Sequence, residues 1–251
     1  MATPPRKLSE VSSVKIQVGE TEHLVNINDF PYFKAFIDFQ QKSGQDTTPV
    51  PTHGDIPFFD VINYGVSNGF RHFFRRMPVQ LSDYHTLCET LEFLAIDVLA
   101  GQKLRDIMND LRKCKSDYDY DGTEIKGLKS IARDAAFRLL YIFLLGEFES
   151  EIRDRAMAYN TALFVLSHPG TFKQRTRKMV REAFEERFLV TEKQKKGLDE
   201  WPISDASKDI EDLEEGSTTD EDSYYLSDSD CAYWDSDCGY WNSDCGYWNS
   251  D

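Results

Sequence analysis

Apolar and polar residues alternate at Val14, Ile16 and Val18, with Lys15 and Gln17 between them, and the alternation resumes at His23-Leu24-Val25. A period of two interrupted by Gly19-Glu20 predicts a β-hairpin. Asp29-Phe-Pro-Tyr-Phe-Lys-Ala-Phe-Ile37 predicts a short helix. Asp29 would cap it, and Pro31 would sit in its first turn, where a missing N–H costs little. Gln40–Gly54 reads as a loop broken by Gly44, Pro49, Pro51 and Gly54. Ile56–Ile62 is apolar enough for a strand. Asn68–Arg76 reads as a helix, with Phe70, Phe73 and Phe74 on one side and Arg71, Arg75 and Arg76 on the other, stopped by Pro78.

Helical spacing dominates from there on. Ser82 or Asp83 would cap a helix to Leu94 with Leu87, Leu91 and Leu94 turned inward. Gly101–Lys113 would bury Leu104, Ile107, Met108 and Leu111. An acidic, glycine-containing stretch, 115–127, is the expected linker. Three helices are predicted beyond it. Leu128–Leu145 is apolar almost all round near its end and would be central. Glu149–Leu166 would present Ile152, Ala156, Tyr159, Leu163 and Leu166, ending at His168-Pro169-Gly170. Lys173–Leu189 would present Val180, Phe184 and Phe188, and Gly197 would close the folded part. The fold class expected is therefore α+β, a small sheet with helices followed by an α-helical unit. The division is 1–12 (disordered), 13–114 (sheet with helices), 115–127 (linker), 128–198 (helical) and 199–251 (disordered tail), with the question of one core or two left open.

Charge separates the tail from the rest. Of 44 acidic and 29 basic residues, 17 and one fall in 199–251, so residues 1–198 are near +1 and the tail near −16. All four tryptophans lie in 199–251 as well. The tail repeats with a period of seven: Ala232-Tyr-Trp-Asp-Ser-Asp-Cys238, Gly239-Tyr-Trp-Asn-Ser-Asp-Cys245, Gly246-Tyr-Trp-Asn-Ser-Asp251. Adjacent Tyr-Trp, recurrent Gly and one sign of charge exclude a coiled coil. Such a composition buries too little to fold alone and resembles activation-type segments. Charged residues make up 29% of the chain, and no apolar run approaches the ~18 residues of a membrane span, so no membrane association is expected. The opening MATPPRKLSEVSS shows no secretory signal. Five cysteines, only Cys88 and Cys114 of them ahead of the tail, point to a reducing compartment, cytoplasm or nucleus.

Three stretches resemble the BTB/POZ domain in its short, potassium-channel-tetramerisation-like form. Val14-Lys-Ile-Gln-Val-Gly with His23-Leu-Val is similar to its opening hairpin. Phe30-Pro-Tyr-Phe-Lys-Ala-Phe is similar to its "SPYF-x-A-hydrophobe" helix, and Leu91-Glu-Phe-Leu-Ala-Ile-Asp to its "A-x-F-L-x-I" helix–turn. Arg133-Asp-Ala-Ala-Phe and Phe184-Glu-Glu-Arg-Phe look like BTB-type proteins of filamentous fungi with a helical C-terminal extension. The resemblance spans about 13–113. It departs from the dimeric form in having only 13 residues before Val14 and Asn26-Ile-Asn28 where a basic residue or His is usual. It implies a non-enzymatic protein–protein interaction adaptor or scaffold, with a cullin-type ubiquitin-ligase scaffold as a possible partner and self-association as another. The alternative is transcriptional regulation through the acidic-aromatic tail.

No catalytic or cofactor-binding residues and no cofactor are expected. Asp117, Asp119, Asp121 and Gly122 match the first half of an EF-hand loop. Position 12 is Leu128 rather than Glu, so the three carboxylates are at most a weak calcium candidate. Gly122-Thr-Glu-Ile-Lys-Gly127-Leu-Lys-Ser130 has the wrong spacing and no preceding strand for a phosphate loop. His85 and Cys88 share a helical face but bring no further zinc ligands nearby. Lys173, Arg175, Arg177, Lys178 and Arg181 read as a solvated basic face, with a contact to the chain's own acidic tail as the sharper reading. A body near +1 does not suggest nucleic-acid binding.

Overall fold

The computed structural model describes residues 13–42, 50–116, 126–148 and 151–203. Contacts divide the chain into a unit of 1–205 and a second of 206–251. The segment 1–12, the aspartates Asp117, Asp119 and Asp121, most of the 115–127 linker and the Tyr-Trp repeats lie outside the described residues.

The alternating segment folds as the expected hairpin. Strand β1 (Ser13–Val18) pairs antiparallel with β2 (Thr21–Asn26), Val14 opposite Val25 and Ile16 opposite His23, across Gly19-Glu20. Ile16, Val18, His23 and Val25 face the core, while Leu24 faces out. A two-residue strand, β3 (Thr52–His53), completes the sheet in the order β2-β1-β3, parallel to β1. It lies inside the expected loop. Two residues carry no usable period, and the pairing comes from backbone bonds: Gln17 N–H to the Pro51 carbonyl (2.9 Å) and Gly19 N–H to that of His53 (3.0 Å).

Helix α1 (Pro31–Lys42) begins on Pro31. The strand expected at Ile56–Ile62 is absent. Pro57 has no ladder donor, Phe58 takes a left-handed conformation (φ 57°), and α2 (Phe59–Asn68) starts there. The single helix expected at Asn68–Arg76 is likewise broken. Gly69 (φ 110°) ends α2, a 3-10 turn covers 70–72, and α3 (Phe73–Arg76) follows. Gly69 is required on two counts. Its φ is unfavourable for other residues, and a Cβ would strike the Arg71 guanidinium and reach Asp134 Oδ1 at 3.0 Å. Helices α4 (Leu81–Phe93) and α5 (Leu104–Arg112) bury the expected leucines and the Ile107–Met108 pair.

Helix α6 (Lys126–Leu144) settles the number of cores. Phe137 is fully buried among Phe73 (4.6 Å between ring centroids), Phe70 (5.8 Å) and Phe74 (6.0 Å). The first and the helical segments thus share one hydrophobic core. Helix α7 (Glu151–Leu166) is rotated from its expected register. Ala156 is exposed, Leu166 is buried as expected, and the other buried positions are Ala158, Thr161, Ala162, Phe164 and Val165. The buried face combines small Ala158, Thr161 and Ala162 with large Phe164, Val165 and Leu166, and Tyr159 and Leu163 are half-buried at its edge. Helix α8 (Gln174–Arg187) buries Val180 and Phe184 as expected.

Gly197 does not end the fold. Helix α9 (Glu192–Asp199) contains it, and Leu198 beyond it is fully buried. A Cβ at Gly197 would collide with the Tyr159 hydroxyl, so the glycine makes room for a neighbour. A reciprocal cap starts α9: Gln194 N–H donates to Thr191 Oγ1 and Thr191 N–H to Gln194 Oε1. Among the described residues no helix is long and apolar enough to cross a membrane.

Candidate interaction surface

Helix α1 is apolar on two faces. Phe33 points inward with Phe30, both fully buried, and each packs on Phe59 of α2 at 5.5 and 5.9 Å. Tyr32, Phe36 and Phe39 stand at i, i+4 and i+7 on another face. The Tyr32 and Phe36 rings are nearly parallel, with centroids 6.2 Å apart, and Phe39 is 69% exposed.

Two residues from other elements join this stripe. The Tyr32 hydroxyl is 2.8 Å from His53 Nε2 on β3. His53 Nδ1 lies 2.9 Å from the Gly54 carbonyl, which only accepts. Neutral His53 therefore carries its proton on Nδ1, and Tyr32 donates to Nε2. Phe93, at the end of α4, packs its ring 4.6 Å from that of Tyr32 and remains 51% exposed.

The backbone that presents Phe93 explains the Leu91–Asp97 motif. Ile96 N–H donates to the Leu91 carbonyl and Ala95 N–H to that of Glu92, with Ala95 left-handed at φ 55°. This is a Schellman closure, its apolar clasp formed by buried Leu91 and Ile96. Tyr32 N–H donates to Leu94 O (3.4 Å), so the α4 turn and the start of α1 are joined. The result is an aromatic face in which half-buried Tyr32, Phe36 and His53 and exposed Phe93 are in ring contact, with exposed Phe39 one turn further along α1. Sequence reading missed it as a site, although the i, i+4, i+7 aromatics were legible, because a helix with apolar residues on two faces does not reveal which one is covered.

Residues considered for chemistry lie apart. His85 Nε2 is 3.2 Å from Glu186 Oε1 on α8. Cys88 is fully buried, and burial pushes its thiol far above the usual range, which leaves it inert. Among the described residues no three His, Cys, Asp or Glu side chains are grouped as metal ligands. His23, buried edge-on against Phe59 at 4.8 Å, reaches Asp60 at 3.2 Å.

The basic run of α8 is largely spent inside the fold. Arg175 donates to the carbonyls of Arg75 (3.1 Å) and Met77 (2.8 Å). Arg177 is buried, donates to the Pro202 carbonyl, and burial lowers its pKa. Arg181 ion-pairs with Glu185 and Asp199. The expectation of a solvated face is corrected for these three arginines: the end of α3 takes Arg175, while α9 and residues 200–203 lie against α8 and take Arg177 and Arg181.

No family model, no curated protein and no solved structure matches the chain.

Proposed function

We propose that this chain is a protein–protein interaction adaptor built on a BTB/POZ-like module, non-enzymatic and working in the cytoplasm or nucleus. The observation that carries the reading is the aromatic face of Tyr32, Phe36, Phe39, His53 and Phe93. Phe39 and Phe93 are exposed and the other three half-buried; exposed aromatics on rigid elements are costly to leave in water and are the residues that anchor interfaces. The element order supports the BTB/POZ resemblance: a hairpin, the Phe30–Ile37 helix, a short strand beside β1, then helices ending in the Leu91–Asp97 turn. Reduced, buried Cys88 and Cys114 agree with a reducing compartment. The partner class that best suits the reading is a cullin-type ubiquitin-ligase scaffold, with the helical part held rigidly by the shared core to present a client.

The test uses the full chain, since a fragment ending before α6 would lose Phe137 from the core. The chain and its Phe39→Glu/Phe93→Glu variant serve as baits, read by mass spectrometry, with light scattering on each for self-association. Recovery of a cullin scaffold by the parent and its loss in the variant is expected. Identical prey and identical mass for both would overturn the reading.

A further inference from the structure

A second surface lies on the 3-10 turn, α3 and the start of α8. Arg71, His72, Arg75 and Arg76 are consecutive but for two buried phenylalanines, Phe73 and Phe74. Arg175 docks beneath them by donating to the carbonyls of Arg75 and Met77, which brings Lys173, the residue before α8, to the same corner. The charges are not balanced locally. Asp134 of α6 is engaged by Arg71, through the backbone N–H (2.7 Å) and the guanidinium (3.2 Å). Among the described residues, Arg75, Arg76 and Lys173 form no ion pair, and all three are exposed.

One of the cations, Arg76, is held in place. The Arg76 guanidinium lies 3.4 Å over the Tyr64 ring, and Tyr64 meets His72 edge-on at 5.3 Å. Stacking leaves the edge of the guanidinium open to a planar acceptor. Burial, reinforced by Arg71 and Arg75, lowers the His72 pKa against the opposing pull of Asp134, consistent with surplus positive charge at this corner.

We propose that this corner docks an acidic peptide segment of a partner protein, with Arg75 and Arg76 receiving side-chain oxyanions and Lys173 supporting them. Guanidinium forks pair two-oxygen acceptors, carboxylate or phosphoryl. An extended polyanion is the poorer fit: the patch is one short turn wide, and residues 1–198 are near neutral, whereas nucleic acids need a basic stripe. This surface is separate from the aromatic face and stands without it.

The experiment is fluorescence anisotropy of the full chain with a labelled peptide of alternating Asp and Ser, and with its phosphoserine counterpart. Both peptides are expected to bind, the phosphorylated one more tightly, and both more weakly as salt rises. Arg75→Glu/Arg76→Glu is expected to weaken binding about tenfold or more, the loss expected from a charge-assisted pair. Lys34→Glu/Lys42→Glu on α1 changes net charge equally and is expected to leave binding intact, as is Phe39→Glu/Phe93→Glu. Arg75→Glu alone, which disturbs no side-chain contact among the described residues, provides the reading should the double variant fail to fold. Absence of binding, equal weakening by the α1 control, or tighter binding of a single-stranded oligonucleotide or an anionic vesicle at the same arginines would overturn the proposal.

Discussion

The part of the fold before α6 and the part from α6 onward share a core but are fastened differently. In the first, the backbone joins neighbouring elements: β1 to β2 and β3, Tyr32 N–H to Leu94 O, and the Leu91–Ile96 closure. In the second, arginine arms reach carbonyls at the ends of other segments. Arg133 donates to Thr171, Arg138 to Val98, Arg175 to Arg75 and Met77, Arg177 to Pro202 and Arg187 to Gly146. Sheet edges and tight turns consume their own polar groups, whereas each helix end leaves carbonyls without intrahelical partners. A helical layer added to a small sheet therefore needs long donors, and Arg supplies several from one side chain.

The shared core is the strongest point at which to break this arrangement. Phe137→Ala removes a fully buried ring from among three other phenylalanines and is expected to destabilise the protein by about 3–5 kcal/mol. Urea denaturation followed by circular dichroism checks it. A loss below about 1 kcal/mol, or melting of the helical part alone, would mean two cores rather than one.

The arms come next. Arg175→Met keeps an apolar stem of similar length and removes the donors to Arg75 O and Met77 O. Leaving the partly buried Met77 carbonyl unpaired costs about 1–2 kcal/mol. The same measurement applies, and an unchanged midpoint would make these bonds incidental.

Legibility followed the same divide. The hairpin, the α4 and α5 leucines, and the α8 stripe were readable because each element has one covered face and one period. The period failed where tertiary contact overrides it. Helix α7 is apolar on more than one side near its end, where Phe164, Val165 and Leu166 are all buried, and its alanines at 158 and 162 carry little hydrophobic signal, so the half-buried Tyr159 and Leu163 drew the expected face around the helix. Gly197 resembles a helix stop until Tyr159 is seen against it, although Thr191-Glu-Lys-Gln194 spells the cap of the helix that contains it. Arg175 and Arg177 look like surface charge because no sequence pattern shows which carbonyls will need them. The aromatic face was half legible: Tyr32, Phe36 and Phe39 share a spacing, but His53 and Phe93 arrive only through the sheet and the α4 turn.

The smallest effect sharpens the comparison from the other side. If the first part is fastened by backbone closures, improving one of them should raise stability without any side-chain donor. Ala95 occupies the left-handed position of the Leu91–Ile96 closure, where a Cβ costs about 1–2 kcal/mol. Glycine removes that strain but loses more conformational entropy on folding, which offsets about 0.5–1 kcal/mol. Ala95→Gly is therefore expected to stabilise by about 0.5–1 kcal/mol and to raise the melting temperature by roughly 1–4 °C for a fold of this size. Differential scanning calorimetry would read it. A lowered melting temperature would mean that the Ala95 methyl contributes packing worth more than the strain it causes. The closure would then depend on side chains as much as the arginine-fastened half does, and the contrast between the two halves would fail.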